Sequence, residues 1–411
     1  MLAKARPNLR VWPDVCKANV HETLQGALYF SSNAFAATVQ TDMPARSQKP
    51  LNVAVLGAAG TIAPAIIRDL AESDEVQRMA LLDLDGERAA AVAAEHGGGK
   101  AGAEAVDARS PDDLASRLRE ADVLVNTASY RINLEAMQAC LTAGCHYLDL
   151  GGLYWVTGRQ RELHRDFEQA DLVAVLGIGS SPGKTNLMAR HARAQLEGEE
   201  IEAIDVAAAG RDPDPAPDGR LRPPYSIQTL LDELTLAPVV LRDGQPTEIE
   251  PLTDGGVIDY GAPIGEAQTI YTLHSELATF GESFGCRAAS FKLSLAPALL
   301  SRLKELVGAS DEEIRAATRE AAPASAHTVS IHLVTVRTTA GRTLQVRAQT
   351  EPHFGLGGSL VSTATPAAAT VRLLARGSIT ARGALPPEDC IDPAEMFAEL
   401  EARGCSFSVT G

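Results

Sequence analysis

VAVLGAAGTIAPAIIRDL, residues 53–70, joins an apolar run to a glycine turn and then to a helix with apolar residues at helical spacing. Gly57 permits the tight turn, Gly60 lets the backbone approach a pyrophosphate, and Ala63 keeps the helix close to the sheet. The helix N-terminus offers free N–H groups to phosphates. The stretch therefore predicts a dinucleotide site, spelled G-x-x-G-x-x-A. The cofactor contacts predicted here are Gly57, Ala59, Gly60, Thr61 and Ile62.

An acidic residue ends the next apolar run, RMALLDLD at residues 78–85. Asp83 follows the glycine turn at about the spacing from which an acid binds the adenosine ribose and repels a 2′-phosphate. This position favours NAD as the cofactor, with NADP possible. The alternative is that Asp83 caps the following helix and that Asp85 is the cofactor ligand or a second cap.

Short apolar runs alternate with amphipathic segments from Leu51 to about Leu196. This pattern is typical of a parallel sheet covered by helices. We predict a Rossmann-type, doubly wound α/β domain over residues 50–199, with six strands. Ligands bind such sheets beyond the C-terminal strand ends. Three further cofactor residues are predicted at strand ends: Asp107, Thr127 and Ala128.

The pattern changes after about residue 200. A proline-rich polar loop occupies residues 211–224, and alternating runs at residues 327–339 and 342–351 predict antiparallel strands. We expect a second α+β domain over residues 200–358, followed by C-terminal helices over residues 359–411.

The first 49 residues do not continue the periodic pattern. We interpret residues 1–49 as a flexible N-terminal extension, or as the product of an upstream start whose counterpart is Met43. A secretory signal is a weaker interpretation, because polar residues interrupt the mildly apolar stretch.

Composition bounds the class of protein. The 411 residues exceed what one core usually holds, and 45% of them are hydrophobic, so two domains are expected. A formal net charge of −16 without a clustered basic face argues against nucleic acid or an anionic membrane as partner. Six scattered cysteines without a C-x-x-C pair suggest neither a disulfide framework nor a metal site. A cytoplasmic enzyme of small molecules fits best.

Four further motifs stand at strand ends and near the C-terminus: NTASY at 126–130, HYLDLGG at 146–152, GSSPGKTN at 179–186 and ARGSITARGALPPED at 375–389. With the glycine turn, they resemble the saccharopine dehydrogenase family over roughly residues 51–410. Overall size and C-terminal sequence are most similar to its lysine 6-dehydrogenase branch. The resemblance implies an NAD(P)-dependent oxidoreductase that acts on a C–N bond of a lysine-like amino acid. It also implies that residues 359–411 return to the cofactor domain, that residues 200–358 bind substrate and form oligomer contacts, and that the protein is a homodimer or higher oligomer.

The chain also departs from the family pattern. Ser181 stands where saccharopine reductases often have Asp before Pro-Gly, which favours the lysine-type branch. One alternative is reductive coupling of the saccharopine or carboxynorspermidine dehydrogenase type, and another is a non-catalytic dinucleotide-binding sensor or scaffold. GSSPGKTN does not fit a phosphate-binding P-loop, because Ile178 occupies the position of the first P-loop glycine.

Oxidation of a C–N bond requires a neutral amine, so the site needs a proton acceptor. The catalytic candidates are Tyr130, Asp149, His274 and Glu276. Each has a simpler alternative. Tyr130 could be a tyrosine packed at a strand edge, and Asp149 an aspartate that forms a turn. His274 could be a hydrogen-bonded histidine in a strand, and Glu276, two positions later, would share the face of that strand.

Substrate contacts are predicted from loops at the same edge of the sheet. An amino-acid carboxylate favours an arginine, and Arg131 and Arg222 are candidates, although a loop arginine is usually solvated. The predicted substrate-binding residues are Arg131, Gly152, Pro182, Gly183, Asn186 and Arg222.

Overall fold

A computed structural model describes residues 49–214 and 220–411. The expected N-terminal extension, including Met43, lies outside the described residues apart from its last position.

The first half of the chain folds into a parallel sheet covered by helices. Its strands are β1 (Leu51–Leu56), β2 (Val76–Asp83), β3 (Ala101–Ala105), β4 (Val123–Asn126), β5 (His146–Asp149) and β6 (Val173–Val175). Its helices are α1 (Ala63–Ala71), α2 (Gly86–His96), α3 (Pro111–Arg117), α4 (Asn133–Ala143), α5 (Leu153–Arg161), α6 (His164–Gln169) and α7 (Lys184–Gln195). The strand order 3-2-1-4-5-6 is that of dinucleotide-binding folds. The doubly wound parallel sheet and its six predicted strands are confirmed, and a seventh strand from the C-terminal segment extends the sheet beside β6.

The apolar runs become central strands because helices cover both faces of the sheet. Val53 to Leu56 are buried in β1, and Ile66, Ile67 and Leu70 of α1 pack in the core. Helix α5 was not predicted, because its residues lack a clear apolar periodicity and three of the last five are Arg or Gln.

A second sheet follows. Its strands are β7 (Ile201–Arg211), β8 (Val239–Arg242), β9 (Gln245–Glu248), β10 (Asp254–Asp259), β11 (Glu266–Tyr271), β12 (Ala288–Ser294), β13 (Val329–Thr338) and β14 (Thr343–Thr350). Helices α8 (Ile227–Thr235), α9 (Phe280–Phe284), α10 (Pro297–Glu305) and α11 (Asp311–Glu320) accompany it. The antiparallel strands predicted at residues 327–339 and 342–351 are confirmed as β13 and β14, whereas β7 and β12 pair in parallel. The long crossover between these two strands allows that orientation.

The C-terminal segment contributes to both sheets. It contains α12 (Gly358–Ala375), β15 (Gly383–Leu385), α13 (Pro387–Cys390), α14 (Pro393–Glu401) and β16 (Cys405–Thr410). Strand β15 pairs with β6, and β16 pairs with β14. The predicted C-terminal helices are present as α12 and α14, and the segment adds two strands that the sequence pattern did not indicate. Two short strands could not be recognised locally because backbone pairing with distant strands defines them.

Buried charges join α12 to α1 and α14. The Arg372 guanidinium donates to Asp69 at 3.0 Å and to Glu399 at 2.6 Å, and Arg403 donates to Asp69 at 2.7 Å. Arg372 is 2% exposed and Asp69 is 1% exposed. Removing one partner of such a network would leave a charge buried without compensation.

Within residues 49–214 and 220–411, no helix combines the length and the apolar character that crossing a bilayer requires.

Candidate active site

A cleft of about 890 Å³ opens where the C-terminal ends of β1 and β4 face the second sheet. Residues from both sheets line it, including Gly57, Tyr130, Pro182, Ala208 and His274. This is the edge at which doubly wound sheets bind their ligands.

The glycine turn reaches the cleft with the geometry that a pyrophosphate needs. Gly57 has φ of +78°, and a Cβ there would lie 2.6 Å from the backbone nitrogen of Ala128. Helix α1 has no side-chain cap and no acidic residue in its first turn. Its positive end is therefore open to an anion. Gly60, Thr61 and Ile62 line the cleft beside it, so these residues fit a dinucleotide.

Asp83 also lines the cleft and holds the glycine turn. Its carboxylate accepts hydrogen bonds from the backbone N–H of Ala59 at 2.9 Å and of Asp85 at 3.0 Å. Asp85 instead caps α2 by accepting from the Arg88 N–H. Ala59 thus lies behind the turn, and its contact is with Asp83 rather than with the cleft.

Arg88 is a residue that the sequence analysis missed. Its guanidinium donates to the Ala59 carbonyl at 3.1 Å, so a cation lies beside the turn that Asp83 holds. An arginine at this place can accommodate the 2′-phosphate of NADP. The signal was present in the sequence as the first basic residue after β2.

The remaining cofactor predictions have different outcomes. Thr127 and Ala128 line the cleft, and the Thr127 hydroxyl donates to the Leu56 carbonyl at 2.7 Å. Asp107 does not line it. Its carboxylate pairs with Arg109 on the surface, and hydrogen bonds from Arg109 lower the pKa of Asp107 to about 2. Asp107 is thus engaged away from the cleft.

The structure does not bring Asp149, a predicted catalytic residue, into the lining of the cleft. Its carboxylate is 1% exposed, does not line the cleft, and accepts from the backbone N–H groups of Gly151 and Gly177 and from the Gln160 and Asn133 side chains. Burial raises the pKa of Asp149 against these hydrogen bonds. Asp149 therefore organises the turns after β5 and β6, which was the alternative interpretation.

Of four substrate contacts predicted in and near the Pro-Gly turn, one lines the cleft and three have structural roles. Pro182 lines the cleft. Gly183 has φ of +121°, and a Cβ there would lie 2.4 Å from the Gly179 carbonyl oxygen, so Gly183 is required by the backbone. Asn186 is buried, accepts from the Gly183 N–H and donates to Glu388. Gly152 donates its N–H to Ser275. Gly152, Gly183 and Asn186 shape the turn without lining the cleft.

Tyr130 and Arg131 connect the two sides of the cleft. The Tyr130 hydroxyl donates to Asp232 of α8 at 3.0 Å, and Arg131 donates to the same oxygen at 2.6 Å. Burial and the Asp232 charge raise the pKa of Tyr130. Since Arg131 already pairs with a carboxylate and does not line the cleft, its predicted role toward the substrate is corrected.

Arg222 lines the cleft, but its charge is compensated. It donates to the Asp212 carboxylate at 3.0 Å. A substrate carboxylate would have to compete with that partner.

His274 lies between two carboxylates at the inner end of the cleft. Its Nδ1 is 3.3 Å from Glu276 Oε2, and its Nε2 is 3.9 Å from Glu233 Oε1. The ring stacks on Phe291 with centroids 3.4 Å apart. Burial by itself lowers the pKa of His274, but the charges of Glu276 and Glu233 outweigh burial, so the net shift is upward.

Both contacts of His274 are at ion-pair distance without hydrogen-bond alignment, and neither ring nitrogen has a partner among the described residues. The ring can therefore take or give a proton in the cleft. The prediction of a strand face shared by His274 and Glu276 is wrong, because Glu276 begins a 3₁₀ turn, Glu276–Ala278. Glu276 lies behind the histidine and accepts from Thr185 at 3.1 Å.

Glu233 completes this group, and the sequence analysis missed it. It lines the cleft, accepts from the Tyr225 hydroxyl at 2.5 Å, and burial raises its pKa. The signal was an acidic pair, Asp232 and Glu233, between leucines of an amphipathic helix. Acidic residues on the apolar face of a helix indicate a functional site only when the surface that packs against the helix is known.

The strand order and the open end of α1 define a dinucleotide-binding protein of the Rossmann class. Residues 53–175 match the family model described as the saccharopine dehydrogenase NADP binding domain. The matched residues run from β1 to β6, so this part of the chain is similar to the NADP binding domain of the saccharopine dehydrogenase family.

Two curated relatives are similar over part of the chain. Carboxyaminopropylagmatine dehydrogenase of Synechocystis sp. is 27% identical over 225 residues, which cover 52% of this chain and 55% of that protein. Carboxynorspermidine synthase of Vibrio alginolyticus is 29% identical over 116 residues, 25% of this chain and 28% of that protein. The chain thus spans about half the length of the first relative and about a quarter of the second.

A solved structure shares the fold. Apo histidine-tagged saccharopine dehydrogenase (L-Glu forming) from Saccharomyces cerevisiae superposes with a TM-score of 0.63 at 16% identity, over 88% of this chain and 100% of that chain.

Proposed function

We propose that this protein is an NAD(P)-dependent oxidoreductase of the saccharopine dehydrogenase type, which transfers hydride between NAD(P) and the carbon of a C–N bond in an amino acid that carries a cationic amine. The observation that carries the proposal is His274, which lines the cleft between Glu233 and Glu276. A histidine flanked by two carboxylates can hold the proton that an amine must lose before oxidation.

The residues divide the work between the two sheets. The cleft-lining glycine turn, with Asp83, Thr127 and Ala128, is proposed to hold the dinucleotide over residues 50–199. The dinucleotide supplies the hydride acceptor or donor. Glu233 is proposed to attract the cationic nitrogen, and His274 to accept its proton so that the nitrogen lone pair can assist the loss of hydride from carbon. In the reverse direction, His274 returns that proton to the amine.

Two substrate classes fit this chemistry. A lysine-like amino acid, as in lysine 6-dehydrogenase, is favoured by Ser181 and by the resemblance of the C-terminal sequence. A carboxylated polyamine formed by reductive coupling is favoured by the names of the two curated relatives. Both substrates pair a carboxylate with a cationic nitrogen. We also expect a cytosolic homodimer, with residues 200–358 forming the contacts.

The test is reduced-nicotinamide absorbance at alkaline pH with NAD or NADP and a panel of lysine, ornithine, saccharopine and carboxylated polyamines. Turnover of lysine alone supports the lysine-type reaction, and turnover of a secondary amine alone supports reductive coupling. Silence across the panel, with dinucleotide still bound, contradicts the proposal and favours the sensor or scaffold interpretation.

A variant pair tests the role of His274. His274→Asn should lower kcat by about 10²- to 10⁴-fold, the usual contribution of a positioned acid or base, while dinucleotide affinity stays unchanged. The matched control is His191→Asn on α7, a histidine outside the cleft. A kcat within twofold of the unsubstituted protein would remove His274 from the mechanism.

Glu276 has a distinguishable, positioning role. Because its charge raises the pKa of His274, Glu276→Gln should move the pH limb of amine oxidation to lower pH. A merely structural role would change the rate without moving that limb.

A further inference from the structure

Polar character is distributed unevenly across the cleft. Strand β7 runs between β12 and β13, with Ala208 paired to Leu293 on one side and to His332 on the other. The β12 side carries Phe291 and the stacked His274, next to Glu233. The β13 side carries His332 instead, and it has a different set of neighbours.

His332 is a buried histidine without an assigned role. It is 4% exposed, lines the cleft, and its Nδ1 has no hydrogen-bond partner in the described part of the chain. Burial, followed by the charges of Lys184 and His274, lowers its pKa well below the ordinary value. A neutral imidazole keeps one N–H that can be donated to a ligand.

Lys184, from the Gly-Lys pair that resembled a P-loop, lies behind this side of the cleft. Its ammonium is fully buried and donates to Ser362 at 2.6 Å and to Thr350 at 3.2 Å. Across residues 49–214 and 220–411, its hydrogen bonds go to these two hydroxyl groups and not to a carboxylate. Burial lowers the pKa of Lys184. When the amine is protonated, its positive charge is not compensated by a hydrogen-bonded carboxylate of the described residues.

The N-terminus of α12 points to the same place. This 18-residue helix has no acidic residue in its first turn, and Ser359, Leu360 and Thr363 of its first two turns line the cleft. Its dipole is positive at that end. Hydroxyls of Ser330 and Ser359 add neutral donors.

There is room for a ligand between the two sides. Strand β7 contributes Ala208 and Gly210 to the lining of the cleft. Their small size leaves space for a ligand between His332 of β13 and Phe291 of β12. Arg222, the carboxylate ligand expected from the sequence, already pairs with Asp212.

We propose that His332, Ser330 and Ser359 form a subsite for a substrate carboxylate, with Lys184 and the α12 N-terminus supplying positive potential behind it. The subsite lies across β7 from Glu233, which holds the cationic nitrogen, so the two together set the direction in which the substrate lies. This inference rests on the proposed function and extends it to substrate orientation.

The experiment measures binding of two five-carbon probes by calorimetry to the full chain saturated with NADP⁺. Glutarate carries only carboxylates, and cadaverine carries only amines. His332→Asn should weaken glutarate about tenfold, the loss expected for a hydrogen bond to a charged group, and leave cadaverine within twofold. Glu233→Gln should do the reverse. Ser359→Ala should weaken glutarate by about threefold, and it keeps the test available if the histidine variant does not fold. His191→Asn is the matched control and should leave both probes unchanged.

Three results would overturn the subsite: no glutarate binding by the unsubstituted protein, unchanged glutarate affinity in both His332→Asn and Ser359→Ala, or equal losses for both probes. Because these measurements need no turnover, failure of the substrate panel would refute the proposed function without deciding the subsite. A crossed pattern of losses supports the subsite even then.

Discussion

Glu388 of α13 makes stability depend on pH in a measurable way. Its carboxyl group is 2% exposed and accepts hydrogen bonds from Asn186 at 2.7 Å and from Thr279 at 2.6 Å. Burial raises the pKa of Glu388 from 4.5 to about 7 despite both hydrogen bonds. The group therefore couples the C-terminal segment to α7 and to the turn before α9.

The sign follows from the raised pKa. The folded protein holds this proton more tightly than the unfolded chain, so the contribution is fully present below pH 4.5 and is lost as pH rises through about 7. Each pKa unit corresponds to about 1.4 kcal/mol. The shift of Glu388 thus predicts a loss of about 3 kcal/mol in the free energy of unfolding between pH 4.5 and pH 9.

The perturbation is Glu388→Gln, which removes the titration and keeps the shape. The glutamine amide can donate to Thr279, whose hydroxyl also lies 3.1 Å from the Glu276 carbonyl and can turn to it. We expect the unfolding free energy of the variant, relative to the unsubstituted protein, to rise by about 3 kcal/mol from pH 5 to pH 9. Urea unfolding followed by circular dichroism at five pH values measures this difference and cancels the other titrating groups.

The matched control is Glu401→Gln, at the exposed end of α14. Its difference from the unsubstituted protein should stay flat with pH. A Glu388→Gln difference that is also flat, within about 0.5 kcal/mol, would refute the assignment of the titration to Glu388.

Three further substitutions address the cofactor site and the C-terminal segment. Asp83→Ser should weaken NAD binding about tenfold and relax discrimination against NADP, because an acid at this place repels the 2′-phosphate. Arg88→Ala should weaken NADP binding selectively, because an arginine attracts that phosphate. Dissociation constants that are equal before and after substitution would contradict both roles. Arg372→Met should lower the unfolding free energy by about 3 kcal/mol, because Asp69 and Glu399 lose a buried partner. A loss under about 1 kcal/mol in urea unfolding would mean that Arg403 compensates for it.

Local patterns were sufficient for the first sheet. A buried parallel strand is a continuous apolar run, and the turn after β1 must be glycine because Ala128 approaches its Cα. The apolar run and the glycine that follows it are adjacent in the sequence, so both can be recognised without a structure even though Ala128 is distant. The same reasoning identified Gly57, Asp83 and Pro182 as cleft residues.

Residues brought together from distant segments were harder to interpret. Asp149 stands at a strand end like a catalytic acid, yet the donors around it come from α4, α5 and the turn after β6. Arg131 looked free until α8 supplied Asp232. Glu233 and His332 looked like ordinary helix and strand residues, because nothing in their own segments indicates that a cleft faces them.

The sequence by itself determined the Rossmann sheet and the dinucleotide turn, since each depends on apolar periodicity or on residues a few positions apart. Only the tertiary structure decided which charges meet: His274 with Glu233 and Glu276, Arg131 with Asp232, and Arg372 with Asp69. The physical reason is that the energy of a charge depends on burial and on its nearest opposite charge. Both are properties of the folded chain, because the partners are separated by up to 303 residues in sequence.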